Sequence, residues 1–297
     1  MTFATELERV GKLVEGRLAE LLASGGSPSA GGASLAEAMR YAALGGGKRL
    51  RPFLLVSSAR LFGVTEEDAL PPACALECVH CYSLVHDDLP SMDDDAVRRG
   101  RPTLHLAFDE ATAILAGDAL LTLAFEILSD PRHSQDPAVR AELVLLLAKA
   151  AGWHGMALGQ ALDLSAERQG FALSDVATLQ ALKTGALFRF ACEAGAVLGR
   201  AKASERLALI AYAEAFGQAF QLADDLLDAQ GDAEAAGKAV AKDAGRGKAT
   251  LVALLGPDAA RARLDALVQE AEAALAPFGE RAMTLVEAVR FAASRKR

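Results

Sequence analysis

Two clusters of aspartates are the residues whose type and spacing point most directly to chemistry. The first cluster lies in the run S-L-V-H-D-D-L-P-S-M-D-D-D-A-V-R-R-G-R-P-T, and its members are Asp87, Asp88, Asp93, Asp94 and Asp95. Carboxylates gathered at one place repel each other unless a cation joins them. Hard oxygen ligands that leave room for water and substrate phosphate suit magnesium. The first cluster therefore predicts a magnesium site.

Arginines follow the first cluster directly, at Arg98, Arg99 and Arg101. The planar guanidinium group matches the geometry of phosphate oxygens and binds them through paired hydrogen bonds. Groups that bind a cation and groups that bind an anion are therefore side by side. This combination predicts a phosphate ester bridged by metal ions.

The second cluster comprises Asp224, Asp225 and Asp228 in the apolar run F-Q-L-A-D-D-L-L-D. Asp224 and Asp228 are four residues apart, so they share one face of a helix. A single Asp-Asp pair is also typical of a solvated helix end or an N-cap. Two such clusters within hydrophobic helices of one chain favour the metal interpretation, because any exposed face would accept these charges at lower cost.

Two further motifs carry cations. Lys48 and Arg51 follow a glycine run in G-G-G-K-R-L-R-P-F, where the backbone can approach a ligand closely. In L-K-T-G-A-L-F-R-F, Lys183 and Thr184 interrupt an apolar helix at a glycine and predict a local break that points a cation inward. The alternatives are a helix C-cap followed by solvated bases for the first motif and a snorkelling surface lysine for the second.

Helices must position these residues, because the chain is rich in Ala, Leu, Glu and Arg and poor in aromatic residues. Apolar periodicity predicts an all-α chain. The predicted helices cover residues 3–23, 35–44, 53–62, 68–88, 108–129, 138–166, 175–199 and 204–229, and much of the remainder. Loops are predicted at 23–34, 130–137 and 231–250, and the last of these is rich in lysine, as a mobile lid over phosphates would be.

The helix before the first cluster cannot continue through Pro90 without losing a backbone hydrogen bond. Asp87 and Asp93 are six residues apart, too far round an unbroken helix to share a face. We therefore expect a bulge over Leu89–Met92 that brings Asp93 back toward Asp87.

Composition excludes several classes of function. The net charge of −8 argues against general binding to nucleic acid or anionic membranes. No run of 18 residues lacks charge, so no membrane span is predicted. The N-terminus has no signal-peptide pattern, and we expect a cytoplasmic protein. The cysteines are predicted to be buried thiols rather than a zinc or redox site; they are Cys74, Cys78, Cys81 and Cys192.

The motifs together carry a family resemblance. G-G-K-R-L-R-P, H-D-D-L-P-S-M-D-D-D-A-V-R-R-G-R-P-T, K-T-G-A-L and F-Q-L-A-D-D-L-L-D resemble, in order and spacing, those of the trans-isoprenyl diphosphate synthases over residues 35–255. The insertion in the first aspartate motif is similar to that of bacterial farnesyl diphosphate synthases. The resemblance implies one all-α domain over residues 1–297, built as a helical bundle around a deep central cavity, and a homodimer.

The resemblance also implies roles. Mg²⁺, three ions per site with Mn²⁺ as the alternative, would bind the diphosphate of an allylic substrate; the implied ligands are Asp87, Asp88, Asp93, Asp224, Asp225 and Asp228. The implied partners of the allylic substrate are Arg98, Lys183, Thr184, Gln221, Lys238 and Lys248. The implied site for isopentenyl diphosphate is Lys48, Arg51, His80 and Arg99. The terminal Arg295, Lys296 and Arg297 resemble basic tails that close over that site in relatives, with disorder as the alternative.

The implied reaction is condensation of isopentenyl diphosphate with dimethylallyl or geranyl diphosphate. Tyr82, next to Ser83, precedes Asp87 by five residues, or roughly 7 to 8 Å along a helix. An aromatic side chain there predicts a pocket that ends at a C15 product, farnesyl diphosphate, with C20 and C10 products as alternatives. A terpene cyclase, which has no need of a second basic diphosphate site, and a non-catalytic partner subunit are the rival interpretations from other classes.

Overall fold

The computed structural model describes residues 2–23, 30–166, 173–236 and 251–294, with side chains described for 2–23, 34–165, 175–229 and 251–294. Helices dominate these residues, and the predicted all-α class is confirmed. Their bounds are α1 Phe3–Ala23, α2 Ala30–Ala43, α3 Leu50–Arg60, α4 Glu66–Asp87, α5 Leu104–Ala107, α6 Glu110–Ser129, α7 Pro137–Ala151, α8 Met156–Ala166, α9 Leu173–Gln180, α10 Ala186–Leu198, α11 Ala203–Ala236, α12 Leu251–Leu255, α13 Pro257–Ala274 and α14 Met283–Ala293. A π-helical turn, Ala181–Gly185, joins α9 to α10, and a 3₁₀ segment, Ala276–Ala282, precedes α14.

The chain divides into two compact units. The first contains residues 1–147 and 197–199, and the second contains residues 148–196 and 200–297. The prediction of one domain over residues 1–297 stays a prediction, as does the central cavity.

In the first unit, α4 packs against α1, α3 and α6. Helix α1 buries an apolar stripe at helical spacing, as predicted; its buried members are Leu7, Val10, Val14, Leu18 and Leu22. Helix α4 begins at a capped residue, because the Thr65 side chain accepts a hydrogen bond from the Asp68 backbone N–H at 3.2 Å. The only strands in the described residues form a short antiparallel hairpin of β1, Val97–Arg98, and β2, Arg101–Pro102.

In the second unit, α11 packs along α13 and α14. Aromatic side chains form much of its core: the rings of Phe188 and Phe216 lie 5.0 Å apart in an edge-to-face arrangement. The hydroxyl of the fully buried Tyr212 donates to the backbone carbonyl of Leu285 at 2.8 Å. These contacts anchor α11, the helix that carries the second aspartate cluster.

Several predicted element boundaries are wrong. The loop expected over residues 23–34 and the helix expected from residue 35 are two of them, because α2 already begins at Ala30. The helix expected over residues 138–166 breaks at 152–155, because the chain turns sharply at Gly155, where a Cβ atom would lie 2.1 Å from the carbonyl oxygen of Ala150. The helix expected from residue 108 begins at Glu110, since the Asp109 side chain accepts from the Thr112 N–H at 2.8 Å and caps it. The loop expected from residue 231 begins later, because α11 continues to Ala236.

Two helical stretches, Glu110–Ser129 and Pro137–Ser165, have the length and hydropathy of a membrane span among the described residues. The second includes the turn at 152–155 and is therefore not one continuous helix. Core helices of soluble proteins meet the same criteria. The prediction that the chain has no membrane span stays a prediction.

Candidate active site

The first aspartate motif folds back on the end of α4, as the sequence predicts. The Asp93 backbone N–H donates to the carbonyl of Asp87 at 2.8 Å, and the Met92 N–H donates to that of Leu89 at 2.9 Å. Pro90 lies between these bonds and ends the helix. Asp94 then takes a left-handed conformation, with φ +52°. The expected bulge is confirmed, and it places the backbones of Asp87 and Asp93 side by side.

Asp88 is buried and binds Arg98. Its Oδ1 atom accepts from Nε of Arg98 at 2.9 Å and from Nη2 at 2.5 Å, and Nη2 also donates to Asp95 at 3.2 Å. Burial raises the pKa of the Asp88 carboxyl, and hydrogen bonding and charge attraction from Arg98 oppose that rise. Asp88 therefore orients Arg98, and Asp87 is left closer to solvent.

The hairpin positions the three arginines. Arg99 and Gly100 both have positive φ, 52° and 75°, as the two central residues of a tight type I′ hairpin turn require. The Thr103 hydroxyl donates to the carbonyl of Asp95 at 2.8 Å and ties the hairpin to the aspartate loop. The guanidinium of Arg101 lies 3.8 Å above the ring of Tyr41. All three arginines and Asp88 line one pocket of the first unit.

The basic segment at residues 45–51 faces the same hairpin. Arg99 donates to the carbonyl of Gly46, and its guanidinium carbon would lie 2.7 Å from a Cβ atom on Gly47, whose φ of +121° also favours glycine. Arg51 lies in the first turn of α3, with Nη1 3.4 Å from Nε2 of His80. Lys48 is exposed. The first unit thus brings together His80, Arg51 and Arg99 of the predicted isopentenyl site.

The environment of His80 is cationic and mostly buried. Burial lowers the pKa of the His80 imidazole well below its ordinary value, and the charges of Arg51 and Arg99 lower it further. The neutral ring of His80 is therefore favoured; its Nε2 atom faces the Arg51 guanidinium as an acceptor, which leaves Nδ1–H as the donor.

Tyr82 and Ser83 lie on the same helix, α4. The Tyr82 ring is half-buried and meets the ring of His86 edge to face, with centroids 5.7 Å apart. His86 in turn donates from Nε2 to the carbonyl of Ile114 on α6 at 3.1 Å. The Ser83 hydroxyl donates to the carbonyl of His80 at 2.9 Å, so it satisfies the helix backbone. The predicted role of both residues in chain length stays a prediction.

In the second unit, the second aspartate cluster lies on unbroken α11. Asp224 is half-buried and Asp228 is exposed, one turn further along the same face. Asp225 is buried, and both of its carboxylate oxygens accept amide hydrogen bonds at 3.0 Å, from Gln221 and from Gln180. Burial raises the pKa of the Asp225 carboxyl, and the two amides oppose that rise.

The predicted local break at Lys183 and Thr184 is a π-helical turn. Nζ of Lys183 donates to Asp163 on α8 at 2.5 Å, and the Thr184 hydroxyl donates to Oε1 of Gln221 at 3.2 Å. Gly159 on α8 allows this approach, since a Cβ atom there would lie 2.2 Å from the Lys183 backbone nitrogen. Lys183 is thus paired inside the unit rather than snorkelling, and π turns of this kind often mark functional sites.

Some predicted residues lie outside what the structure describes, and some partners were not predicted. Lys238, Lys248, Arg295, Lys296 and Arg297 lie outside the described residues. The sequence interpretation missed Gln180 as the partner of Asp225, although a glutamine in the apolar run before Lys183 is a usable signal. The four cysteines are buried free thiols, as predicted.

Magnesium fits the donor chemistry of both units. Among the described residues, no three His, Cys, Asp or Glu side chains are gathered as a closed metal cage. Magnesium keeps several waters and commonly binds through one or two carboxylates plus substrate phosphate, so pairs such as Asp87 with Asp93 or Asp224 with Asp228 suffice. The donor set therefore fits a metal that shares its coordination with a phosphate ligand.

Comparison with known proteins places the chain in a family. The polyprenyl synthetase family model matches residues 33–280. The farnesyl diphosphate synthase of Escherichia coli is 43% identical over 249 residues, covering 83% of each chain, and that of Geobacillus stearothermophilus is 45% identical over 243 residues, covering 82% of each. The crystal structure of an FPP/GFPP synthase from Zymomonas mobilis superposes with a TM-score of 0.88 at 48% identity, covering 97% of this chain and 98% of that one. This chain belongs to the polyprenyl synthetase family and is a prenyltransferase.

Proposed function

We propose that the enzyme condenses isopentenyl diphosphate with dimethylallyl and geranyl diphosphates and releases farnesyl diphosphate. The observation that carries this proposal is the Asp93–Asp87 backbone hydrogen bond of 2.8 Å, which brings two aspartates of the first motif together close to a cluster of arginines. Such a pairing suits a substrate whose diphosphate is both bound and expelled. The names of the Escherichia coli and Geobacillus relatives support the C15 product.

The proposed metal is Mg²⁺, held by aspartates of both motifs. Asp87, Asp93 and Asp224 would be direct ligands, and Asp88, Asp225 and Asp228 would act through water or by orienting neighbouring groups. When bound, the ions supply positive charge that stabilises the departing diphosphate. The stoichiometry of three ions per site is part of the proposal.

The side chains of the enzyme hold the allylic diphosphate and shield the cation. Arg98 and Lys183 carry the described positive charge for this diphosphate, and Lys238 and Lys248 would add to it. Thr184 and Gln221, which are hydrogen-bonded to each other at 3.2 Å, offer oxygen dipoles to the developing allylic cation. Apolar walls keep water from the cation.

The second substrate would bind to the basic segment. Lys48, Arg51, His80 and Arg99 would hold the diphosphate of isopentenyl diphosphate, and the neutral His80 would donate a hydrogen bond. The double bond of this substrate attacks the allylic cation, and a proton then leaves the new chain for the released diphosphate. No protein group is required as the base.

The products that the enzyme makes from defined substrates test the proposed function. We expect enzyme supplied with isopentenyl and dimethylallyl diphosphates and Mg²⁺ to give a C15 diphosphate by mass spectrometry, and chelation by EDTA to abolish it until Mg²⁺ is restored. Labelled isopentenyl diphosphate must enter the product. A terpene cyclase would leave the label unincorporated, and a non-catalytic subunit would give no product.

Tyr82 would limit product length. We expect Tyr82→Ala to shift the products toward C20 because the floor of the pocket is removed, whereas Tyr82→Phe keeps the ring and the C15 product. Mass spectrometry of the products distinguishes the two variants. Unchanged C15 output from Tyr82→Ala removes this role, and a wild-type C20 or C10 product selects one of the alternative chain lengths.

The remaining proposals concern assembly and location. We propose that the enzyme is a soluble cytoplasmic homodimer. Its negative net charge of −8 supports a protein that avoids anionic membranes. Light scattering of the purified enzyme tests the dimer, and fractionation of cells tests the location.

A further inference from the structure

Arg49 lies between two residues of the proposed isopentenyl site but takes no part in it. It is the residue before α3, with a left-handed backbone at φ 49°, and it is only 3% exposed. Non-glycine residues adopt this conformation infrequently, so a residue of this size is kept there by other contacts. Lys48 and Arg51 lie on either side of it.

The guanidinium of Arg49 connects three helices. Nη1 donates to Oε1 of Glu77 on α4 at 2.5 Å, and Nη2 donates to Oε1 of Glu15 on α1 at 3.0 Å. Nη2 also donates to the carbonyl of Ala43 at the end of α2, at 2.7 Å. The Arg49 backbone carbonyl accepts the N–H of Phe53 and begins α3. One residue therefore joins α1, α2, α3 and α4.

The charge of Arg49 is neutralised inside the protein. Glu77 is 1% exposed, so this ion pair is buried, and Glu15 adds a second negative charge. Burial is the largest single influence and opposes the charged form of Arg49, but the combined charge attraction and hydrogen bonds of Glu77, Cys81 and Glu15 outweigh it and raise the pKa of the guanidinium. A phosphate group would have to displace two carboxylates to bind Arg49. Arg49 therefore does not serve as a ligand for the diphosphate.

Spacing on α4 links the ion pair to the proposed site. Glu77 and His80 are three residues apart, so they lie on one face of α4. Arg49 binds Glu77, and Arg51, two residues later, has Nη1 3.4 Å from His80 Nε2. The glycines before Lys48 are held at their other end by the Arg99 guanidinium. The ion pair thus determines where the segment at residues 45–51 lies along α4.

We propose that Arg49, through its buried ion pair with Glu77, is a positioning residue that sets the affinity for isopentenyl diphosphate by holding Lys48 and Arg51 in place along α4. This inference rests on the proposed function, which assigns that substrate to Lys48, Arg51, His80 and Arg99. A buried ion pair contributes little net stability compared with apolar residues, but it selects one arrangement of the elements that it joins.

The decisive variant is Arg49→Lys, which keeps the charge but loses the fork that binds three acceptors. We expect its KM for isopentenyl diphosphate to rise about tenfold, with KM for geranyl diphosphate and kcat changed by less than about twofold. Arg9→Lys is the matched control, because Arg9 also joins two glutamates of this unit, Glu6 and Glu66, away from the proposed site. We expect the control to leave all three constants unchanged.

A double variant separates positioning from folding. Arg49→Met with Glu77→Met removes both buried charges and leaves only the solvent-accessible carboxylate of Glu15 without its partner, so its melting temperature should stay near that of the wild type. Its KM for isopentenyl diphosphate should still rise about tenfold, because the segment is no longer held to α4. If Arg49→Lys fails to fold, the KM values of the double variant alone test the inference. Equal increases of both KM values, or an unchanged KM for isopentenyl diphosphate, would overturn the inference.

Lys48→Ala distinguishes this inference from the proposed function. If Lys48→Ala leaves the KM for isopentenyl diphosphate unchanged, the assignment of the substrate site fails. If Lys48→Ala raises that KM and the Arg49 variants do not, the site stands and only the role of Arg49 is wrong.

Discussion

The two aspartate motifs bring their residues together by different physical routes. On α11, Asp224 and Asp228 share a face because an unbroken helix repeats every 3.6 residues. At the end of α4, Asp87 and Asp93 come together only because the chain reverses after Pro90 and closes the Asp93–Asp87 hydrogen bond. The second motif depends on helical periodicity, whereas the first depends on a local turn.

The buried aspartates of the two motifs also have different partners. Asp88 accepts two hydrogen bonds from the guanidinium of Arg98, both on Oδ1. Asp225 accepts one amide hydrogen bond on each oxygen, from Gln180 and Gln221. The first motif therefore balances its charge with a cation, and the second distributes it over neutral dipoles. The comparison predicts unequal responses to matched substitutions.

The largest effects should come from the direct ligand candidates of each motif. We expect Asp87→Asn and Asp224→Asn each to lower kcat about 1000-fold, because each removes a negative charge from the proposed metal site. Steady-state assays at saturating Mg²⁺ measure both. If the motifs act on one diphosphate, the double variant should lose much less than the product of the two effects. Independent, multiplicative losses would contradict a shared role.

The buried aspartates should differ from each other. Asp225→Asn places an amide NH₂ against a glutamine NH₂, and we expect a loss of about 100-fold in kcat. Asp88→Asn keeps the single oxygen that Arg98 uses, so its loss should be nearer tenfold.

A partner exchange tests the cause of this difference. Asp225→Asn combined with Gln180→Glu restores a matching donor and acceptor, so the melting temperature should recover while the activity stays low. Equal losses in Asp88→Asn and Asp225→Asn would show that the partners of the two carboxylates do not matter.

The smallest effects compare two glycines, one in each unit. A Cβ on Gly159 would lie 2.2 Å from the Lys183 backbone nitrogen, whereas one on Gly117 would lie 2.1 Å from Nε2 of the His86 ring. A side chain can rotate away, but the backbone of a packed turn cannot. We expect Gly159→Ala to lower the free energy of unfolding by about 1 to 3 kcal/mol.

Gly117→Ala is the matched control. It should lower the free energy of unfolding by less than about 1 kcal/mol, because alanine has a higher helix propensity than glycine and this gain offsets part of the overpacking. Thermal unfolding of both variants shows which substitution destabilises the enzyme more. A larger loss for Gly117→Ala would contradict the distinction between backbone and side-chain neighbours.

Much of the fold was predictable because apolar periodicity indicates helices directly. The stripe of α1 and the paired face of Asp224 and Asp228 follow from spacing alone. The break at 152–155 was not predicted, since glycines within a helical pattern are often tolerated and only the contact with Ala150 required a turn. Asp109 as a helix cap could have been found from its position four residues before the apolar run.

Within the candidate site, residue types and order were predictable, and partners were not. Arg98 and Asp88 are ten residues apart, and Gln180 and Asp225 are 45 apart, so no local period connects them. The sequence pattern around Lys48 and Arg51 did not indicate that Arg49 between them is buried. Whether a residue of this segment is buried depends on which helices pack around it in the folded protein.

The sequence by itself determined the helical class, the two acidic motifs and the chemistry that their types allow, because these depend on composition and on spacings within a few turns. Only the tertiary structure decided that Asp88 pairs with Arg98, that Asp225 is held by two amides and that Arg49 is enclosed by Glu15 and Glu77. Those contacts join residues distant in the chain, and their free energies arise only when packed helices exclude water from the charges.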